Sequence, residues 1–515
     1  MSIQFLGAIT LAYFLLLFVI AFLADNLRRR GKSFVTNATV YSLSLAVYCT
    51  SWTYYGSVGR AATSGLDFLT IYLGPTLICF TWWFLLRKII LITKEQNIVS
   101  IADFIASRYG KSTYLGGIVT IFAVLGIVPY IALQLKAISQ TFNMLCGSDD
   151  NLTTAFQLQY PNLPLDTAFL AALFLAAFCI LFGAMRLNST ERHEGLMAAV
   201  ALESIIKLSA FLAVGLYVTY GLFDGFGDLF SRFLTSFPEK SSGRWFTMTV
   251  LSMMAVMFLP RQFHAMVIEN SDHEHIRKAM WAFPAYMFLL NLFVLPIALA
   301  GIIIFSGDTT MADYYVLSLP LLEHKQLLAI FVFIGGFSAA GGMVMLESVA
   351  SATMILNNLV MPVILRFNLK TADISGLLLN IKRTAIVSVI FLGYFYYRTL
   401  GETEALVNIG LISFMAATQF APALLGGIYW ERATQRGAAA GLLSGFIVWF
   451  YTLLVPTFVD AGWLAHDILI HGPFGIEWLR PTALFYLNTL DIWSHALFWT
   501  LFFNVGLFLG VSILT

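Results

Sequence analysis

SLAVYCTSWTYYGSVG (residues 44–59) opens as an apolar membrane helix and closes in hydroxyl and small residues, with Gly56 and Gly59 near its end. A helix that only faced lipid has no use for that change. Backbone groups freed at membrane depth are tolerated where they line a cavity or are buried in protein, so the stretch reads as a broken helix in an enclosed interior. MMAVMFLPRQFH (253–264) has the same character, interrupted by Pro260, whose ring removes an amide donor and clashes with the turn before it.

Composition sets both stretches in a membrane. Of 515 residues, 59% are hydrophobic and 11% charged, far from the balance of soluble chains. A helix needs about 20 apolar residues to cross a bilayer. Thirteen segments qualify: 4–24, 38–57, 67–91, 114–142, 166–185, 195–222, 245–268, 280–305, 327–360, 384–400, 405–428, 437–457 and 492–514. Lys and Arg crowd the connections on one side, among them Arg28 to Lys32, Arg87 to Lys111, the set Arg261, Arg277 and Lys278, and Arg366 to Arg383. The basic side is cytoplasmic, which predicts the N-terminus outside and the C-terminus inside. In the first segment the basic residues follow the apolar run, so it reads as a retained helix and not a cleaved signal peptide.

The same composition excludes several function classes. Net charge is +1 with no basic face or tail, so a nucleic-acid partner is not indicated. Cys49, Cys79, Cys146 and Cys179 form no metal or disulfide spacing and read as buried thiols, with no cofactor or metal implied. GGFSAAGGM (335–343) lies within a span and follows no strand, so close helix packing explains it better than a phosphate loop. No linker divides the chain, and residues 458–491 read as an outer capping loop.

The two interrupted helices are the second and seventh spans, five apart. Transporters built from inverted repeats place paired discontinuous helices at matching positions of their halves, with the binding site between them at the midplane. The first repeat would run from 38 to 222 and the second from 245 to 428. An extra helix at 4–24 precedes them and two helices within 437–514 follow. The plain alternative is that Gly and Pro are simply commoner in membrane helices.

Five stretches now carry a resemblance. SIADFIASRYGKS (100–112) is similar to a cytoplasmic loop of the sodium/solute symporter family, and SWTYYGSVG, with Trp52 four residues before Gly56, resembles its first core helix. FLPRQFHAMV (258–267) and SATMILNNLV (351–360) resemble the sixth core helix around its Pro and the end of the eighth. NIGLISFMAATQFAPALLGGIYWERATQRGAAAGLLSGFIVWFYTLLVP (408–456) is similar to the transporter-like input domain of sensor histidine kinases of the CbrA type. The resemblance implies an all-α integral membrane fold, a LeuT-type inverted repeat of 5+5 core helices. It also implies a bacterial inner-membrane location and cytoplasmic kinase modules after residue 515, acting on a response regulator.

In sodium-coupled members the resemblance places the cation on backbone carbonyls and two adjacent hydroxyls of the first and eighth core helices. Here the carbonyl positions fall on Ala46, Cys49 and Ala339, and the hydroxyl pair on Gly342 and Met343, which offer no side-chain oxygen. A one-turn slip that brings in Ser338 or Ser348 is the alternative. ALESIIKLSAF (201–211) puts Glu203 and Lys207 one turn apart in an otherwise apolar run. A charge at mid-bilayer is costly and marks an ion or proton path; some proteins of similar inverted-repeat fold use a lysine amine on this helix in place of sodium, and that resemblance implies the same role for Lys207. Glu203, Glu191, Glu347 and Lys136 are candidate members of its network. A static i, i+4 ion pair that fixes packing is the alternative.

The solute is expected between the broken helices, against Tyr48, Thr50, Trp52 and Tyr55, Ser252 and Val256, and Gln419. Val256 and Met257 stand where proline and sugar carriers of the family have two aromatics, which disfavours those solutes. The resemblance implies an amino acid, histidine first, carried with protons. The alternatives are a sodium-coupled symporter for another small solute and a ligand sensor that transports nothing.

Overall fold

The computed structural model describes residues 1–30, 36–147, 166–183, 193–232, 242–367, 374–401 and 405–515, and among these every regular element is helical. Among the described residues nine helices are long and apolar enough to span a membrane, and a pair bent by 52° (Gly243–Phe258 and Pro260–Ile268) makes a tenth. The chain is a multi-pass membrane protein. The sequence counts thirteen spans; the difference lies in three segments. Ala38–Tyr48 and Thr167–Leu181 are apolar but short. The 67–91 run is two helices, Thr70–Cys79 and Leu85–Gln96, parted at residues 80–84. That break turns Trp82 inward, stacked 5.7 Å from the Phe283 ring, while Phe80 and Phe84 stay exposed. The segment expected at 384–400 instead runs from Ile374, through Lys382 and Arg383, because Lys382 is buried in the protein rather than left at a membrane boundary.

The elements that frame the interior are α1 (Ile3–Arg29), α2 (Ala38–Ser44), α3 (Ser57–Ser64), α4 (Thr113–Cys146), α5 (Glu194–Tyr217), α6 (Ser242–Phe258), α7 (Pro260–Phe263), α8 (Gln326–Met354), α9 (Leu406–Thr418), α10 (Gln435–Trp449) and α11 (Ile492–Leu514). In α1 the buried residues Leu6, Tyr13, Phe14, Leu17, Ala21 and Ala24 recur at helical spacing, while Leu15, Leu16, Phe18 and Phe22 face outward. One stripe packs on protein and the rest is dressed for lipid. Its C-terminal end meets α5, where Asp25 accepts the Gly195 amide at 2.8 Å.

Both interruptions expected from sequence are present. After α2 the chain makes a 3₁₀ turn to Tyr48, and Cys49 turns extended (ψ 95°) before a π-turn at Trp52–Gly56 leads into α3. Hydroxyls replace the lost ladder locally: Thr53 donates to the Thr50 carbonyl at 2.8 Å, and Thr50 Oγ1 accepts the Trp52 amide at 3.3 Å. Side chains from other helices take the remaining groups. Gln262 donates to Leu45 O at 3.2 Å and Gln134 accepts the Ser51 amide at 3.2 Å. In the second interruption Leu259 is extended (ψ 134°) and Pro260 starts α7, the conformation a following proline imposes.

The last two spans pack closely. Gly437, Gly441 and Gly445 stand one turn apart on α10, and a Cβ at any of them would come within 3 Å of Ser512, Asn504 or Phe508 of α11. Small residues at this spacing let two backbones approach in a bilayer.

Candidate functional site

At the break between α2 and α3 the Ala46 carbonyl accepts the Cys49 amide at 3.0 Å, and one side chain reaches both that carbonyl and the carbonyl of Cys49. Lys207 of α5, 3% exposed, donates from Nζ to Ala46 O and Cys49 O, each at 2.6 Å. These are short, charge-assisted bonds. A cation therefore sits on two of the three carbonyl positions derived from the resemblance. The third, Ala339, is buried in α8 with Met343, and Gly342 completes that face.

Glu203 does not pair with Lys207. Its carboxylate turns to α8 instead, where a Cβ on Gly342 would come within 2.4 Å of Oε2. The acid thus fills the space that a side chain at position 342 would occupy, and Oε2 has no hydrogen-bond partner. Beside it Tyr13 and Ser338 share a 2.6 Å hydrogen bond, which brings α1 against this wall.

Glu347 is fully buried on α8 and belongs to a different pair. It accepts the Arg261 amide at 3.3 Å and Arg261 Nη1 at 3.5 Å. Lys136 lies apart, donating to Gly401 O at 2.8 Å. Glu191 lies outside the described residues.

The expected solute contacts are scattered. Thr50 is central, with Oγ1 2.8 Å from Tyr130 OH. Tyr48 donates to Ile71 O at 3.0 Å and Trp52 Nε1 to Val407 O at 3.2 Å, both as ties between helices. Tyr55 OH is buried without a partner against Gly336. Ser252 donates to Thr70 O at 2.8 Å, and Val256 is core. Gln419 looks away toward α11, where Asn504 donates to its Oε1 at 3.0 Å.

Arg261 is the main correction. The sequence reads it with Arg277 and Lys278 as a loop cation; the structure places it in the bend after Pro260 with no solvent exposure. Its guanidinium carbon lies 4.4 Å from the centre of the Tyr130 ring, within the range of a cation–π contact. The only hint in the sequence is its position directly after the proline inside an apolar span.

Two further groups were not legible. On one side a cavity of about 500 Å³ is lined by Arg60, Lys136, Gln140, Asp313 and Asn408, among others. Asp313, in the connection before Tyr315–Leu322, accepts the Leu406 amide at 3.1 Å and lies against Gly59. Burial pushes its carboxyl up to about 6, against the opposing pull of that amide and of Lys136. On the opposite side Glu269 binds His193 at 3.0 Å and His264 at 3.1 Å. These three could hold a metal ion, since their ligand atoms lie within 4.8 Å of one another. Burial raises the Glu269 carboxyl, but bonds from both histidines outweigh it and hold it below the usual range. The cluster joins the start of α5 to the end of the bent span.

Against this geometry the chain compares with known proteins as follows. Residues 31–188 match the model of the Sodium:solute symporter family. Uncharacterized symporter YhjB of Bacillus subtilis (strain 168) is 25% identical over 431 residues, covering 81% of this chain and 80% of the relative. Uncharacterized symporter YodF of the same organism is 22% identical over 410 residues, 78% and 76% of the two chains. Among solved structures, a Na+-coupled sialic acid symporter in a substrate-bound outward-open state superposes with a TM-score of 0.61 at 12% identity, covering 99% of this chain and 98% of that one. The chain has the fold of that transporter, part of it matches the Sodium:solute symporter family model, and the two Bacillus sequences it resembles are uncharacterized symporters.

Proposed function

We propose that this protein is a secondary active transporter of a small solute in which the amine of Lys207 replaces a dissociable sodium ion. The observation that carries the reading is the pair of 2.6 Å bonds from Lys207 to Ala46 and Cys49 at the break of the first core helix. Gly342 and Met343 offer no hydroxyl to a cation there, and Glu203 crowds the position. A protonated amine holds the α2–α3 break against α5; a neutral one keeps at most part of that attraction, since the charge-assisted share of each bond is gone. Gain and loss of a proton therefore bias the equilibrium between two arrangements of the broken helix, which is the requirement for coupling solute movement to a proton gradient. Glu203 and Glu191 are assigned to the same proton path, while Glu347, expected there from sequence, is taken up by Arg261.

The solute is an amino acid, histidine first, and the location the inner membrane of a bacterium. The chain acts as the input module of a sensor histidine kinase, with kinase modules and a response regulator downstream. The similarity to symporters supports the transport part of this reading. A second reading, a receptor that binds without transporting, draws on the midplane packing: Tyr48, Trp52 and Ser252 spend their polar atoms on neighbouring helices.

Uptake of labelled amino acids into proteoliposomes under an imposed pH or sodium gradient separates the readings. Accumulation driven by the pH gradient supports the proposal. Binding without accumulation selects the receptor, and accumulation driven by sodium alone rejects the role given to Lys207.

A further inference from the structure

Arg261 is fully buried, yet only part of its guanidinium is satisfied. Glu347 occupies Nη1 at 3.5 Å and the backbone amide at 3.3 Å. Nε and Nη2 make no well-formed hydrogen bond, although the Tyr130 hydroxyl lies near enough to interact with the guanidinium. Those two nitrogens form the side-on edge of the fork, whose parallel N–H groups match the two oxygens of a carboxylate. Leaving them without a strong acceptor in the interior is costly, and an arginine that served only to neutralise Glu347 would be expected to spend both on that carboxylate.

The surroundings fix where the open edge sits. The guanidinium lies over the Tyr130 ring, 4.4 Å from its centre. Tyr130 OH is 2.8 Å from Thr50 Oγ1 at the break between α2 and α3, and Arg261 itself starts the second broken segment. One positively charged fork is therefore held between the two interrupted helices, with its plane set by a ring and one corner set by an acid.

We infer that Arg261 is the specificity-determining anchor for the solute, which carries a carboxylate that binds in bidentate fashion to Nε and Nη2. Glu347 is a positioning residue that aims the fork. The inference rests on the solute-binding reading above and narrows it: neutral sugars, polyols and amines are excluded, and amino acids or other small carboxylates remain.

The test measures ligand-induced thermal stabilisation of the purified full chain. The probes are the proteinogenic amino acids, the carboxamide of each one that stabilises, and propionate against propionamide as the smallest pair. The wild-type protein is expected to prefer acid over amide. Arg261→Lys keeps the charge but loses the fork, and should weaken acid binding about tenfold to a hundredfold and amide binding by less, so that the acid preference shrinks. The double variant Arg261→Met with Glu347→Met removes both charges together, and should bind acid and amide alike. The inference is overturned if no acid stabilises the wild type more than its amide, or if Arg261→Lys keeps the full preference. Failure of the transport reading looks different: acid preference stays intact while proteoliposomes accumulate nothing under a pH gradient.

Discussion

Replacing Lys207 with methionine keeps the length of the side chain and removes its charge and donors. The structure sets two scales for the outcome. Each bond from Nζ to Ala46 O or Cys49 O, at 2.6 Å, joins a charged donor to a carbonyl, a type of bond that contributes about 1.5–3 kcal/mol net. Losing both leaves the Cys49 carbonyl without its amine donor, while Ala46 O keeps the Cys49 amide. Removing a buried ammonium, however, also removes a desolvation penalty of several kcal/mol. The expected net change is a loss of about 1–4 kcal/mol, enough to lower the melting temperature of the detergent-solubilised protein without unfolding it. Coupling should respond more sharply. A gradient of one pH unit is worth about 1.4 kcal/mol for one proton, or about tenfold accumulation. Wild-type proteoliposomes should approach that ratio, and Lys207→Met vesicles should bind labelled solute but settle at equal concentrations inside and out. A methionine variant that still accumulates solute to the wild-type ratio refutes the reasoning, whatever its stability.

Three further outcomes follow from the packing. Glu347→Leu strands the Arg261 guanidinium in the interior and should cost about 3–5 kcal/mol in thermal or denaturant unfolding, while pairing it with Arg261→Met should restore most of the loss. Gly441→Ala places a methyl 2.7 Å from the backbone oxygen of Asn504, so unfolding should show a loss of about 1–3 kcal/mol confined to the α10–α11 pair, visible as faster amide exchange there. Asp313 has its carboxyl raised from 3.8 to about 6 by burial; the folded state holds its proton more tightly than the unfolded state, so stability should fall as pH rises from 4 to 6. Asp313→Asn should flatten that part of the melting-temperature profile, and an unchanged slope counts against the assignment.

What the sequence reveals depends on whether the informative atom belongs to a side chain. The two broken helices announce themselves through Pro260 and the hydroxyl-rich run from Thr50 to Ser57, because proline and competing hydroxyls change local backbone preferences directly. Lys207 is visible as an ion in an apolar run. Its acceptors are backbone carbonyls, which carry no residue identity, and only the family resemblance pointed to Ala46 and Cys49. Arg261 was misread because a bend of 52° carries a charge near a span's end back into the interior. His193 and Glu269 stand 76 positions apart and form no motif. Glu203 sits where its spacing suggests an ion pair with Lys207, but the glycines of α8 offer its carboxylate a closer place to rest.

The placement of Lys207 on α5 has a consequence for the environment in which such a protein can work. An ion drawn from the medium leaves its site empty whenever its concentration drops, and the cycle then slips or stalls. A positive group tethered by four methylenes to the polypeptide has no concentration to fall; its only variable is whether a proton rides on it. If Lys207 replaces the dissociable ion as proposed, such a carrier answers to acidity and not to sodium, and growth in sodium-free surroundings should leave its turnover unaltered.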